Sequence, residues 1–298
     1  MATILRSAIS HFLDRDLDSV FMREADLADG SEYAFLEKRT TTDNKFLIQQ
    51  FVGPNIPVEK NEGASIEYTD VKQLDQLTLT VLTFARGLRF SQEAIEDGKY
   101  NIIMRSVSDF GPLCKYKRLT DAASVLNNGF SGGQAGSDGL QLFSAVHVRQ
   151  DASTWANRTA TAQQLSITAL ENNLVALRKQ TDERGLKIPA TKGIKLLVPP
   201  DLEYVAENLV RASGRPGVFS NDVNVAGGRV TVKICDYLTD TDNWFLQVKG
   251  QHRLIWVERL GTQTMKGGDF DTTDSKFAVR MRYIYGYESP RGMWGENP

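Results

Sequence analysis

Residues 56–84 alternate between apolar and polar side chains on both sides of a polar centre. The stretch IPVEKNEGASIEYTDVKQLDQLTLTVLTF places Ile, Val, Tyr, Thr and Leu in partial two-residue repeats around DVKQLDQ. A two-residue period is typical of a strand that has one face buried and the other exposed to solvent. The pattern therefore predicts a long β-hairpin over residues 56–84.

Residues 99–128 carry apolar side chains at intervals of three and four, which predicts a long helix with one buried face. Gly111 and Pro112 stand in its middle. A proline inside a helix removes a backbone hydrogen bond, at a cost of about 3 kcal/mol. We therefore expect either a kink there or two consecutive helices. Ser91 can cap a short turn just before this region.

The second half of the chain mixes helices and strands. A helix is predicted from the capping pair Thr168 and Glu171 to Gly185. The strand IKLLV, the turn PPD and an amphipathic helix over residues 202–210 then form a separate αβ unit. Further strands are predicted at residues 229–238, 244–248, 252–260 and 276–287. The fold class predicted from these elements is α+β, with at least two compact parts.

The segment from Asp14 to Glu37 holds eight acidic residues and two basic ones, with scattered apolar positions. Such a segment lacks the apolar surface to bury itself. It is expected to be a solvated arm, or an arm that becomes ordered on a neighbouring molecule.

The predicted hairpin is long for its host. Two strands of about a dozen residues extend about 40 Å, whereas a compact domain of about 240 residues has a radius of gyration of about 18 Å. An isolated hairpin is marginally stable in water. The hairpin is expected to pack along its own domain or across another subunit. Its charged residues are Glu59, Lys60, Glu62, Glu67, Asp70, Lys72 and Asp75.

Composition narrows the function classes. The 298 residues include 35 basic and 37 acidic side chains, for a formal net charge of -2, which does not favour a DNA-seeking or membrane-seeking surface. Cys114 and Cys235 have no second cysteine at metal-knuckle or redox spacing, so we expect free buried thiols in a reducing compartment. There is no run of about 18 apolar residues, so we expect a protein made and kept in a cytosol.

Sites for chemistry are sparse. The histidines His11, His147 and His252 do not pair at helical spacing, which disfavours a zinc site or a histidine-based triad. The loop GFSGGQAGSDG lacks the lysine of a phosphate-binding loop. The acidic clusters at residues 236–243 and 269–274 lack the pattern of a calcium loop. We therefore predict no catalytic residue, no metal site and no cofactor.

Several segments follow one another along the chain in a recognisable order. An acidic arm and a long hairpin are followed by FSQEAIED, a long helix ending SVLNNGF, and DGLQLFSAVH. Further on come GLKIPATKGIKLLVPPDLEYVAENLV and the closing RYIYGYESPRGMWG. This order resembles the major capsid proteins of tailed bacteriophages, with the Mu-like major head subunit as the nearest group, and the last two segments match the family's strand, VPP, helix and final strand. The resemblance runs from about residue 50 to the C-terminus.

This resemblance implies the tailed-phage capsid fold, which encapsulins share. It assigns an N-terminal arm to residues 1–55, an extended loop to 56–85, a peripheral domain to 86–189 and 263–298 with a spine helix at about 99–128, and an axial domain to 190–262. It also implies hexamers and pentamers of an icosahedral shell around double-stranded DNA, bound without sequence recognition. The shell belongs to a virion that is assembled in the host cytoplasm, without a membrane partner.

Other implied partners are a portal, a maturation protease and a scaffold. Only 55 residues precede the hairpin, so the scaffold is expected to be a separate protein. As a hypothesis, the acidic arm lies near a neighbour's basic spine region. The candidate subunit contacts are Asp14, Asp16, Asp18, Glu59, Lys60, Glu62, Glu67, Lys72, Asp75, Lys115, Lys117 and Arg118.

Three alternatives stay open at this stage. The same fold also serves encapsulin-type nanocompartments and gene transfer particles. A hydrolase would use Ser144 with His147 or His252, or Cys114 as nucleophile, although no Gly-x-Ser-x-Gly elbow is present. A monomeric binding module would leave the long hairpin unsupported.

Overall fold

Two four-stranded sheets organise the part of the chain that the structure describes. The computed structural model describes residue 21 and residues 35–298, apart from 64, 70, 92, 95–96, 98–99, 133–135, 137, 150–151, 191–192, 217–222 and 269–273. Helices and mainly antiparallel sheets occur in separate runs along the chain, so the predicted α+β class is confirmed.

The first sheet forms the larger half of the molecule. Its strands are β1 (Glu37–Thr40), β4 (Leu82–Phe90), β10 (Leu254–Gly268) and β11 (Ser275–Tyr287), in the order β1-β10-β11-β4. β1 is parallel to β10, and the other neighbours are antiparallel. The alternation predicted for residues 276–287 is confirmed, because Phe277, Val279, Met281 and Tyr283 all point into the core.

Two helices cover this sheet, α1 (Tyr100–Ser108) and α2 (Phe110–Asn127). They are the predicted spine, and of the two alternatives the chain adopts two helices. The break falls at Asp109, which puts Pro112 in the first turn of α2, where a backbone N–H has no helical partner to lose.

A buried polar contact joins the second of these helices to the sheet. The Asp121 carboxylate accepts a hydrogen bond from the Tyr283 hydroxyl at 2.8 Å and pairs with the Lys117 ammonium at 2.6 Å. The Tyr283 ring stacks on Trp256, with ring centroids 4.4 Å apart. Helix α2 is therefore held on the sheet by both packing and a paired charge.

The second sheet has the order β12-β9-β7-β8. Its strands are β7 (Ile194–Val198), β8 (Val230–Ile234), β9 (Trp244–Val248) and β12 (Met293–Glu296). The short strands β5 (His147–Val148) and β6 (Thr154–Trp155) pair only with each other among the described strands. One face of the second sheet packs against α3 (Ile167–Lys179) and α4 (Glu203–Arg211) in a core around Leu170, Leu196 and Trp244. The predicted strand, turn and helix of the αβ unit are confirmed here.

Three segments join a different sheet or core from the one expected from sequence. Residues 254–262, expected with the axial unit, begin β10 of the first sheet. Residues 293–296, expected with the peripheral unit, pair with β9 of the second sheet. Helix α3 packs on that second sheet too. Strand pairing is long-range, so local alternation cannot tell which sheet a strand joins.

The predicted hairpin over residues 56–84 is wrong in its strands. The structure pairs β2 (Lys45–Val52) with β3 (Lys72–Thr80), and residues 53–71 between them contain no strand where they are described. The polar stretch DVKQLDQ, which was expected at the turn of the hairpin, lies mostly in β3. Pro54 and Pro57 lack the N–H that a ladder requires, which moves the first strand upstream.

The predicted arm also reaches too far along the chain. Residues 37–40 and 45–52, expected in an arm that ends at residue 55, are strands β1 and β2. Phe35 and Phe21 are buried in the core, and the Phe21 and Phe277 ring centroids are 6.2 Å apart. Asp14, Asp16 and Asp18 lie outside the described residues.

Helix α3 differs from its predicted limits at both ends. Its N-cap is Ser166, whose hydroxyl accepts from the Ala169 N–H at 3.2 Å, in place of Thr168. It ends at Lys179 and not at Gly185, which instead occupies a left-handed turn position with φ of 80°. A capping-box spacing two residues inside the helix was therefore mistaken for its start.

Both cysteines are free and buried, as predicted. Burial raises the pKa of the Cys114 thiol, and it raises the pKa of the Cys235 thiol to about 12. Within the described residues, no helix is long and apolar enough to cross a membrane.

Candidate contact surface

An extended segment, residues 53–71, joins β2 to β3 and exposes apolar side chains to solvent. The exposed fractions are 64% for Ile56, 64% for Val58, 62% for Ile66, 91% for Tyr68 and 61% for Val71. Exposed apolar side chains concentrated in one short segment are typical of an interaction site. This is the strongest candidate contact surface in the described chain.

Strands β2 and β3 form a two-stranded ribbon that carries the extended segment, and this ribbon is anchored on the first sheet. Ile48 of β2 packs with Leu77 and Leu79 of β3 against Ile255 and Val257 of the sheet. The antiparallel pairing sets Ile48 opposite Leu77, so both reach the same face. The base of the ribbon is therefore built into the core, while its far end is not.

A hydrogen bond from Arg184 holds the start of the extended segment, and a salt bridge holds Arg184. The Arg184 guanidinium donates to the Pro54 carbonyl at 2.8 Å and pairs with Asp182 at 2.8 Å. Burial opposes ionisation of Asp182, but hydrogen bonds from Arg184 and Leu186 outweigh it and lower the pKa of this carboxyl. Arg184 is thus held by an ionised partner in the position where it meets the segment.

The charged contact candidates of the extended segment are exposed where the structure describes them. Glu59, Lys60, Glu62 and Glu67 all lie in solvent. The backbones of Lys72 and Asp75 belong to β3. Sequence reasoning chose these charges and passed over the apolar residues beside them, although their alternation within a polar stretch was visible.

The basic candidates on α2 have partners inside the chain. Lys117 pairs with Asp121 and lies over the Phe84 ring, 4.9 Å from its centroid. Arg118 pairs with Glu258 at 2.7 Å and lies 5.6 Å from the Trp256 centroid. Lys115 is half-buried. These contacts arise because α2 lies directly on the sheet, and a role for the three cations between subunits stays a prediction.

Two residues considered for a hydrolase, His147 and Cys114, have environments typical of a structural role. His147 is buried, with Nδ1 2.7 Å from Asp138 and Nε2 3.2 Å from the Asn157 amide oxygen. Asn157 also donates to the Leu142 carbonyl at 2.7 Å. Burial raises the pKa of Cys114, which disfavours the reactive thiolate. Among the described residues, no group of acidic, histidine or cysteine side chains could hold a metal ion.

His252 provides a pH test of the junction between β9 and β10. The pKa of His252 is lowered from 6.5 to about 4, mainly by burial and also by the charge of the nearby Lys195. The unfolded chain therefore takes up a proton below about pH 6.5 that the folded chain refuses, so stability is present above that pH and is lost as pH falls toward 4.

We expect His252→Gln to flatten the fall in melting temperature between about pH 7 and about pH 5. Circular dichroism of the dilute, unassembled chain measures this. A variant that loses stability as steeply as the wild type would contradict the assignment.

Comparison with known proteins gives three findings. A family model described as phage capsid protein matches residues 75–294. A comparison with curated protein sequences finds no match. Several solved structures share the fold. Their sequence identity to this chain is low, so they show the fold alone.

Three of these structures are capsid or particle subunits. A virus-like particle from Pyrococcus furiosus is 12% identical, with a TM-score of 0.53 over 95% of this chain and 98% of that chain. The capsid of cyanophage P-SCSP1u is 13% identical, with a TM-score of 0.54 over 88% and 85%. The capsid of a native GTA particle is 13% identical, with a TM-score of 0.54 over 89% and 88%.

Proposed function

The chain belongs to the phage capsid protein family, whose model spans residues 75–294, and from this premise we propose that it builds the shell of a tailed-phage head. The predicted capsid fold is confirmed by subunits that share it over most of their length. The narrower assignment to the Mu-like group stays a prediction.

We propose that copies of the chain associate as hexamers and pentamers and close into an icosahedral shell around double-stranded DNA. The observation that supports this most directly is the exposed apolar face of residues 53–71 on a firmly anchored ribbon. A monomer would leave five large apolar side chains in water, whereas a neighbouring copy can cover them.

We assign the peripheral part of the subunit to the first sheet with α1 and α2, and the axial part to the second sheet. We propose that the peripheral part forms the wall of the shell and the axial part surrounds the centre of each hexamer or pentamer. The extended segment of one subunit then contacts the peripheral part of the next subunit.

Further partners belong to the same proposal. A separate scaffold, a protease and a portal would act during assembly in the host cytoplasm, and the finished shell would be part of the virion. The net charge of -2 suits a shell that encloses DNA without reading its sequence.

The alternative is a shell of the same fold with another cargo. The neighbours include a virus-like particle from Pyrococcus furiosus and the capsid of a GTA particle. An encapsulin-type nanocompartment or a gene transfer particle is therefore the second candidate. The contents of purified particles distinguish it, because a phage head made in its natural host holds phage DNA.

The proposal predicts that the chain forms closed particles when it is expressed alone or with candidate scaffold genes. Electron microscopy of the purified product should show shells or rings of six, since self-association is the proposed activity. Light scattering measures the mass of the product in solution and can show the opposite outcome. A stable 33.2 kDa monomer at every concentration and with every scaffold candidate would overturn the proposal.

A further inference from the structure

A cavity of about 510 Å³ lies where the ribbon meets the rest of the subunit. Strand β2 lines it from Phe46 to Val52, and residues of the segments 182–184 and 288–291 complete the wall. The lining includes four guanidinium groups, those of Arg39, Arg184, Arg253 and Arg291. Guanidinium groups are the side chains that proteins use most often to bind oxyanions, because each presents several N–H donors in a fixed plane.

Three of the four guanidiniums are held in position by carboxylates. Arg184 pairs with Asp182 at 2.8 Å. The other two pairs join Arg39 to Glu288 and Arg291 to Glu183. These pairs cancel in charge, and they fix the planes of three guanidiniums on the wall before any ligand arrives.

The fourth guanidinium, that of Arg253, has no such partner. The three carboxylates of the lining each pair with another arginine, and no carboxylate in the described chain pairs with Arg253. Four arginines and three carboxylates line the cavity, so its net charge is +1. A cavity with this excess charge attracts a small anion.

Arg291 contributes a buried donor that the subunit does not use. Its side chain is only 10% exposed, and its guanidinium lies 4.6 Å from the centroid of the Trp155 ring. Nη2 donates to Glu183, but Nη1 is buried and meets no acceptor within the described residues. A buried N–H without an acceptor is unfavourable, so an acceptor that enters the cavity would be bound there.

The charge of Arg291 is only partly compensated by Glu183. The pKa of Arg291 is lowered, mainly by burial and also by the nearby Arg149, although Glu183 opposes both effects. An anion beside this guanidinium would therefore stabilise its charged form. A set of ion pairs that served the fold alone would explain neither the buried Nη1 nor the unpaired charge of Arg253.

We propose that this cavity is an anion site that binds a phosphate group, with Arg253 and Nη1 of Arg291 donating to its oxygens. A tetrahedral phosphate offers acceptors in several directions, which suits donors that come from different segments of the chain. The bound group would join β2 to the segments 182–184 and 288–291. The site is complete within one subunit, so the proposal does not depend on the shell function.

Titration of inorganic phosphate into the dilute, unassembled chain tests the site. Sodium chloride at the same ionic strength is the reference. We expect phosphate to raise the melting temperature in a saturable way, because a ligand that binds only the folded chain stabilises it. Arg253→Gln should weaken the affinity measured by calorimetry about tenfold or more, since one charge-assisted hydrogen bond is lost.

Arg105→Gln is the matched control for this variant. Arg105 is an exposed arginine on α1 outside the cavity, so its replacement changes the net charge equally and should leave the affinity unchanged. Arg291→Lys keeps the charge but removes Nη1, and it should also weaken binding. If the buried change at Arg291 prevents folding, Arg253→Gln still decides, because Arg253 is exposed.

Hydrogen exchange locates the bound group. Phosphate should slow amide exchange in residues 46–52 of β2 and leave α4 unchanged, because only the former line the cavity. Equal affinities of the wild type, Arg253→Gln and Arg105→Gln would overturn the proposal. So would a melting temperature that follows ionic strength alone.

A short DNA duplex in phosphate-free buffer identifies the source of the group. A duplex that competes with inorganic phosphate in the wild type, but not in Arg253→Gln, would support the site with the nucleic-acid backbone as its ligand. Saturable phosphate binding that a duplex does not affect would support the site with free phosphate as its ligand.

Discussion

Replacing Ile56, Val58, Ile66 and Tyr68 with serine is expected to abolish closed particles while leaving the isolated subunit folded. These side chains are 62% to 91% exposed, so the subunit loses little when they are shortened. Covering a large apolar side chain is worth about 1.5 to 3 kcal/mol. A shell repeats the contact at every copy, so a modest loss per site removes the assembled state.

Two measurements on this quadruple variant separate assembly from folding. Electron microscopy should show no shells, and circular dichroism of the dilute chain should give a melting temperature close to that of the wild type. A control variant changes four exposed apolar residues elsewhere to serine, namely Val175, Tyr204, Val223 and Val225. Shells from the quadruple variant in normal yield would contradict the role of the extended segment.

Replacing Glu296 with alanine is expected to destabilise the subunit itself. The side chain is 1% exposed, and its carboxylate accepts from the Asn173 amide and the Trp294 indole, each at 2.9 Å. It also accepts from the Thr159 hydroxyl and the Gln163 N–H. Removal of the carboxylate leaves several buried donors unpaired, which costs about 3 kcal/mol and lowers the melting temperature by about 6 °C or more.

Two matched variants identify the cause of this loss. Glu296→Gln keeps the shape but turns one acceptor oxygen into an amide donor that faces other donors, so it should also destabilise the chain. Glu93→Ala removes an exposed carboxylate and should leave the melting temperature unchanged. If Glu296→Gln matched the wild type, the loss in Glu296→Ala would come from volume and not from the hydrogen bonds.

Local patterns predicted most helices and strands. The three- and four-residue spacing of residues 99–128 and the alternation of residues 276–287 each reflect one buried face, and both elements formed as expected. Pro112 predicted either a kink or a break in this region, since a proline acts through its own backbone, and the chain breaks at Asp109. Such features depend on neighbours in the chain, so one sequence is enough to reveal them.

The ribbon shows where local patterns fail. Residues 45–52 and 72–80 pair across about twenty intervening residues, and their apolar faces meet Ile255 and Val257, far away in the sequence. The hairpin predicted at 56–84 assumed that the nearest alternating stretches pair with each other. Pro57 in the first of them, and Pro54 just before it, made the more distant pairing the better one.

The candidate contact surface was found only in part. The sequence singled out the hairpin region as a contact region, which stays a prediction, but the residues chosen were its charged side chains and the basic residues of α2. In the structure, Lys117 and Arg118 are paired with Asp121 and Glu258 of the same chain. A charge count cannot separate a cation held inside the subunit from one that awaits a partner, because only coordinates give the distance to an acid.

The sequence by itself determined the family and the α+β class, and it predicted a long hairpin whose strands the structure places elsewhere. The tertiary structure alone decided which apolar residues the subunit leaves uncovered. The reason is that Ile66 and Leu77 have the same alternating context, yet one lies in solvent and the other packs against Ile255. Whether a side chain is buried depends on what packs against it, and contacts between distant parts of the chain determine this packing.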